Sequence, residues 1–194
     1  TYKKEGPLDL RLNPQKGVSA AERLKEVTEE ELAGMLWENS DEPYAEEIAA
    51  TVMEKLRKGE PVETTIQLQK AIEEALSFLP EREQKEAVKK SCQRTFQALR
   101  IDVNSEFEVL YAFMEKLPAA LAPGGRVAIL TFHSGEDRIV KNAFRKNEHP
   151  CTCPPDFPVC VCGKTPKGKV VTRKPILPGE GELEENSRSK SAKL

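Results

Sequence analysis

One stretch of this 194-residue chain reads as a strand buried on both faces, and it stands alone. Arg126-Val127-Ala128-Ile129-Leu130-Thr131-Phe132 is an apolar run with β-branched members, the pattern of a strand inside a parallel sheet. A tight-turn signal, Leu121-Ala122-Pro123-Gly124-Gly125, precedes it. Behind it Ser134 can cap a helix, with Glu136 and Asp137 in the first turn, where carboxylates complement the helix dipole. Ile139, Val140, Ala143 and Phe144 give that helix an inward face, and Val170-Val171-Thr172 offers one more short strand. Helix, turn, buried strand, helix is one repeat of an α/β fold, and one repeat cannot make a sheet. The expectation is an α/β domain over residues 91–194 whose remaining strands precede Thr1.

Residues 1–90 read differently, as a small α-helical domain inserted into that fold. After the Pro-bounded segment Gly6 to Pro14, Ser19 with Glu22 and Thr28 with Glu31 have the spacing of capping boxes. Ala20, Ala21, Leu24 and Val27, then Leu32, Met35 and Leu36, recur behind them at helical intervals. Pro43 suits a first helical turn ahead of Tyr44, Ile48, Val52 and Leu56. Thr64 or Thr65 opens a further helix carrying Leu68, Ile72, Ala75, Leu76 and Leu79. The charged stretch Glu81–Lys90 reads as a solvated helix or connector. Beyond it Phe96, Leu99, Val103, Phe107, Leu110, Met114 and Leu117 form one long stripe that ends at Pro118. Pro178–Leu194 reads as an exposed loop or tail.

Hydrophobic residues make up 38% and charged residues 32%, which excludes a disordered tail and suits a polar-surfaced globular chain. With a net charge of -2 there is no overall cationic field, so contact with nucleic acid falls to local basic clusters. No apolar stretch has the ~18–20 residues of a membrane span, no signal peptide is seen, and the cytoplasm is the expected compartment. Thr1-Tyr2-Lys3-Lys4 lacks an initiator Met, which points to a start cut from something longer.

Four of the five cysteines, Cys151, Cys153, Cys160 and Cys162, crowd into twelve residues, whereas a disulfide scaffold spreads its cysteines along the chain. Two close pairs of thiolates can surround a tetrahedral Zn²⁺ and order a loop, residues 151–163, that has almost no apolar core. Unliganded thiols in a turn, an iron–sulfur cluster and a disulfide remain alternatives. Lys164, Lys167, Lys169, Arg173 and Lys174 follow as the densest basic segment, suited to a phosphate backbone or to plain solvated surface.

Two other groups carry candidate chemistry. Gln97, Arg100 and Asn104 fall within about 60° of one another on a helical projection, beside the apolar stripe. With Arg94 they read either as an ordinary helix flank or as a cleft wall contacting RNA. Phe132-His133-Ser134 lies where the buried run ends, and open α/β sheets bind ligands beyond the carboxyl ends of their strands. His133 is there a structural hydrogen-bonder or a catalyst.

Gly6-Pro7-Leu8-Asp9-Leu10-Arg11, Ser19-Ala20-Ala21-Glu22 and Arg94-Thr95-Phe96-Gln97-Ala98-Leu99-Arg100-Ile101 occur in that order. They are followed by Leu121 to Arg126, by Phe132-His133-Ser134-Gly135-Glu136-Asp137-Arg138-Ile139-Val140-Lys141, and by Asn186-Ser187-Arg188-Ser189-Lys190-Ser191-Ala192-Lys193-Leu194. In this the chain resembles the MraW-type 16S rRNA (cytosine-N4)-methyltransferase family, over essentially its whole length. Ser91-Cys92-Gln93, Asn13, Gly135 and Ser187 depart from the residues usual in that family, Gly135 standing for a Leu.

The resemblance implies a Rossmann-like S-adenosylmethionine-dependent methyltransferase domain with an inserted helical domain, of which this chain is the C-terminal part. It implies methyl transfer from S-adenosylmethionine to the exocyclic amine of a cytidine in the decoding region of 16S rRNA, in the small ribosomal subunit. The donor-binding glycines would lie mostly upstream of Thr1, and no Gly-x-Gly-x-x-Gly occurs here. Arg94, Gln97, Arg100 and Asn104 are assigned to the substrate-facing wall and His133, Ser134, Glu136 and Asp137 to the rim at the strand end; Ser134 and Arg138 join the RNA-binding set, and His133, Glu136 and Asp137 are the candidates for catalysis. Asn186, Arg188 and Lys190 would close over the site from the C-terminal stretch. A homodimer is compatible with the pattern. The competing readings are a non-catalytic RNA-binding or ribosome-assembly module with a zinc loop, and a helical protein-interaction domain.

Overall fold

A computed structural model of the chain describes residues 4–194, so the opening Thr1-Tyr2-Lys3, read above as a cut start, lies outside the described residues. The chain divides into two compact units, Thr1–Glu106 and Phe107–Leu194.

The first unit is helical. Ser19 and Glu22 form the capping box of α1 (Ala20–Glu26), and Thr28 and Glu31 that of α2 (Glu29–Ser40). After α3 (Ala45–Arg57), a third box, Thr64 with Gln67, starts α4 (Thr65–Ala75). Each hydroxyl accepts the N3 amide while the N3 side chain reaches back to the cap amide, which satisfies donors no helix can satisfy itself. Pro43 precedes Tyr44, the N-cap of α3, instead of entering its first turn. Leu24, Leu32, Leu36, Ile48, Val52, Leu68 and Ile72 interlock in one core, joined by Phe96 and Leu99 from α5 (Glu81–Val103).

An irregular segment runs through this core. Leu8 is 1% exposed, and its amide donates to the Glu63 carbonyl at 2.8 Å. The carbonyls of Leu8 and Asp9 accept the first amides of α1, from Ala21 and Ala20, and the Gly6 carbonyl accepts the Thr65 amide that opens α4. Buried backbone is tolerated here because each of these groups has a partner.

The second unit is built on α6 (Glu106–Ala120, its first residue in the first unit) and α7 (Ser134–Glu148). Its core is small: Met114, Ile139 and Val140, flanked by Phe107, Leu110, Leu117 and Phe144. A short α8 (Glu180–Glu185) and a 3₁₀ turn (Ser187–Ser191) follow, so the stretch read as a tail is structured and buries Ser189 and Ala192.

The expected α/β fold is not formed. Among the described residues there is no strand, only the isolated bridges Pro7–Thr64 and Thr131–Lys193. A strand exists by pairing, and among the described residues the run at 126–132 forms one bridge, to Lys193, through mutual 2.8 Å backbone bonds at Thr131. Ile129 packs on the core of its unit, but two of the run's large apolar side chains are uncovered: Leu130 is 54% and Phe132 51% exposed. The segment at Val170–Thr172 forms no strand either. The long stripe also breaks. α5 runs through residue 90 to Val103, then Ser105 turns the backbone left-handed (φ 49°), and α6 begins anew.

Leu8→Ala should cost the first unit about 2–5 kcal/mol, because the segment's backbone bonds hold a cavity open around the truncated side chain. Urea unfolding followed by circular dichroism measures it, with Leu12→Ala, exposed on the same segment, as the near-neutral control.

Candidate RNA-facing groups and the four-cysteine loop

On α5, Arg94 and Gln97 are half-buried, and their side chains make no hydrogen bond or ion pair with other described residues. The other two members of that row are committed. Arg100 grips Glu106 through two bonds of 2.8 and 2.9 Å. Asn104, the C-cap of α5, accepts from the Leu12 amide (2.8 Å) and donates to the carbonyls of Leu10 (2.9 Å) and Arg100 (2.8 Å). Leu10 sits in the left-handed region (φ 64°), costly for a residue with a Cβ, and the Asn104 amide holds the backbone that leaves it, at the Leu10 carbonyl and the Leu12 amide. Asn104 is therefore a positioning residue in the first unit.

In the second unit, the cap of α7 is His133, not Ser134. His133 Nδ1 accepts from the Glu136 amide at 3.4 Å, and the Glu136 carboxylate reaches back to the Phe132 amide at 2.9 Å. This is a capping-box arrangement shifted by one residue, with imidazole in place of hydroxyl. His133 Nε2 lies 3.3 Å from Glu136 Oε1, close enough to act on its charge but without hydrogen-bond alignment. The His133 contact, opposed by burial and aided by the Phe132 amide, lowers the Glu136 pKa from 4.5 to about 2. The Phe107 ring lies 5.8 Å from the His133 ring and presses on Gly135, where any Cβ would collide with it. The small residue at 135 and the ring at 107 thus fit each other.

Asp137 is held between Lys141 (2.8 Å) and Lys193 (3.3 Å). Burial works against its charge, yet the two lysines keep its carboxyl below its ordinary value. Arg138 is exposed on α7. Asn186 Oδ1 caps the 3₁₀ turn by accepting the Arg188 amide, while the Arg188 and Lys190 side chains point to solvent. What the structure brings to the 126–131 run is thus the very end of the chain, Lys193, with Leu194 paired to Ile176. A cleft of about 370 Å³ opens there, with Arg126, Lys141, Arg145 and Arg173 among its walls. Sequence reading missed this basic cleft because its members are scattered over separate segments.

The four cysteines converge. Cys160 Sγ lies 3.5 Å from Cys151, 3.8 Å from Cys153 and 3.4 Å from Cys162, and Cys162 lies 3.9 Å from Cys151. All four sulfurs lie within 4.8 Å of one another, an arrangement that could hold a metal ion. Backbone amides of Lys164 and Thr152, with the neighbouring Cys160, lower the Cys162 pKa to about 6, and crowding by Cys162 pushes Cys160 up to about 12. Glu148 fastens the loop's far side to α7: it accepts the Val170 amide (3.0 Å) and pairs with Arg173 (2.8 Å).

The MraW methylase family model matches residues 1–194, and the chain belongs to that family. It is 64% identical over 145 residues to the ribosomal RNA small subunit methyltransferase H 1 of Agathobacter rectalis, a match covering 75% of this chain and 42% of that protein. The ribosomal RNA small subunit methyltransferase H of Carboxydothermus hydrogenoformans is 43% identical over 194 residues, all of this chain and 60% of the relative. The chain thus spans about half the length of the curated relatives it matches. No helix among the described residues is long and apolar enough to cross a membrane.

Glu136→Gln should destabilise the second unit at neutral pH. A carboxyl with a depressed folded-state pKa stabilises above its unfolded value of 4.5, and that contribution fades as pH falls towards about 2. Thermal melts across pH 2–7 should therefore show the wild-type advantage over Glu136→Gln shrinking below about pH 4.5.

Proposed function

We propose that this chain is the substrate-side part of an enzyme that methylates the exocyclic amine of a cytidine in small-subunit ribosomal RNA, with S-adenosylmethionine as donor. The observation that carries the reading is the family match over the whole chain, with relatives named as small-subunit rRNA methyltransferases. The residues present do not make a donor cradle. The adjacent glycines 124 and 125 close a tight turn, in which the Gly125 amide donates to the Ala122 carbonyl at 2.8 Å.

Methyl transfer to an amine needs the acceptor held in line and free of its base stack. In this reading Arg94 and Gln97 meet the RNA, since their polar groups have no other partner among the described residues. Arg100 and Asn104 keep that wall in place through Glu106 and the Leu10–Leu12 backbone. In the second unit His133, Ser134, Glu136, Asp137 and Arg138 are the candidate groups of this reading, with Glu136 held ionised and His133 fixed as a cap. Arg188 and Lys190 offer exposed cations for phosphate, beside Asn186, which shapes their turn. A zinc ion in the four-cysteine loop would order that loop and take no part in methyl transfer.

The test uses the longer protein containing this chain, small ribosomal subunits and methyl-labelled S-adenosylmethionine, with nucleoside analysis by mass spectrometry. N4-methylcytidine is the expected product; RNA binding without label transfer would favour the non-catalytic module. Arg94→Ala should weaken RNA binding and lower the slope of log affinity against log salt by about 1 if that arginine meets a phosphate.

A further inference from the structure

The loop from Cys151 to Cys162 has the outline of a folded element without the means of folding by itself. Its large apolar side chains face solvent: Phe157 is 52% exposed, Val159 69% and Val161 72%. Its ends are nevertheless fixed, by the Lys167 amide on the Asn147 carbonyl (2.9 Å) and by Glu148 on Val170 and Arg173. What gathers at its centre is sulfur.

The spacing of those sulfurs is diagnostic. Zn–S bonds of about 2.3 Å in a tetrahedron place the sulfurs about 3.8 Å apart. Four of the separations here run from 3.4 to 3.9 Å, and all lie within 4.8 Å. A disulfide would need about 2.05 Å, and all five cysteines are free. Four thiols gather here on a solvent-facing loop whose large apolar side chains are exposed, so apolar packing does not account for their convergence. The Val161 amide already points at Cys153 Sγ (3.4 Å), the donor-to-sulfur bond that steadies a thiolate ligand. Just past Cys162, Gly163 takes a left-handed turn (φ 65°), which lets the chain leave the cluster sharply.

We propose that Cys151, Cys153, Cys160 and Cys162 form a closed structural zinc site whose ion stands in for the hydrophobic core this loop lacks. Binding replaces the thiol protons still present, forms four Zn–S bonds and moves no electrons. The complex carries two negative charges, and the Lys164 ammonium, held 3.1 Å from Thr152 Oγ1, lies on the same loop to offset them. Four protein ligands leave no position for water or substrate, so the ion is a strut and not a catalyst. This goes beyond the methyltransferase reading and does not depend on it.

Elemental analysis of the reduced full chain should find about one zinc per molecule. Cobalt substitution should give the ligand-field bands of a tetrahedral centre with sulfur-to-cobalt charge transfer. Cys160→Ser should weaken cobalt binding about tenfold or more, changing all four cysteines to Ser should abolish it, and Cys92→Ser should leave it intact. Chelation should speed proteolysis within 151–163 while the helical circular dichroism persists. The inference is overturned if the native chain is metal-free with four titratable thiols in excess zinc, or carries iron–sulfur absorption or a disulfide. Cobalt binding that survives loss of all four cysteines would sink it equally. A chain that binds zinc yet supports no RNA methylation leaves it standing, so the two readings fail separately.

Discussion

The first unit depends on a debt that every helix carries: its first amides have no partner of their own. Here the debt is met twice over. Hydroxyls of Ser19, Thr28 and Thr64 take the N3 amides, and carbonyls of Gly6, Leu8 and Asp9 take amides at the starts of α1 and α4. The second arrangement lets a non-helical segment lie inside the unit with Leu8 fully covered. Without those carbonyl acceptors, α1 and α4 would each start with unsatisfied amides, and the segment would have unsatisfied carbonyls in exchange.

The second unit works with less apolar material. Its core cluster buries Met114, Ile139 and Val140 among the described residues, and partly buried carboxylates take over some of the fastening. Glu136 ties the start of α7 to Phe132, Asp137 ties it to Lys193, and Glu148 ties its end to Val170 and Arg173. All three have their pKa values lowered. Exposed ion pairs contribute little, but Asp137 and Glu148 reach segments distant in sequence, and Glu136 and Glu148 accept backbone amides as well.

What could be read from the sequence was what is decided locally. The Ser19–Glu22 and Thr28–Glu31 boxes and the helical faces of Ile48, Val52, Leu68 and Ile72 follow from spacing, and the structure has them. The four-cysteine cluster was legible for the same reason. The run at 126–132 was misread because an apolar β-branched heptad says what a strand would need, not whether a partner strand exists. The break after α5 was hidden because a Ser, and not a Gly, carries the left-handed turn. The capping of α7 was assigned to the hydroxyl of Ser134, whereas the imidazole one residue earlier does it. In the candidate site, residue types pointed to polar groups on α5 but could not separate Arg94 and Gln97, unpartnered among the described residues, from Arg100 and Asn104, whose bonds are long-range or beyond the helix.

Asn104 has a further consequence. One amide group closes α5 and also holds the strained backbone at Leu10, 94 positions away in sequence. Fraying of the last turn of α5 would strip Leu10 and Leu12 of their partners at the same moment, so the two regions should open as one cooperative unit. In hydrogen-exchange terms, the amide of Leu12 reports on the far end of a helix to which it does not belong.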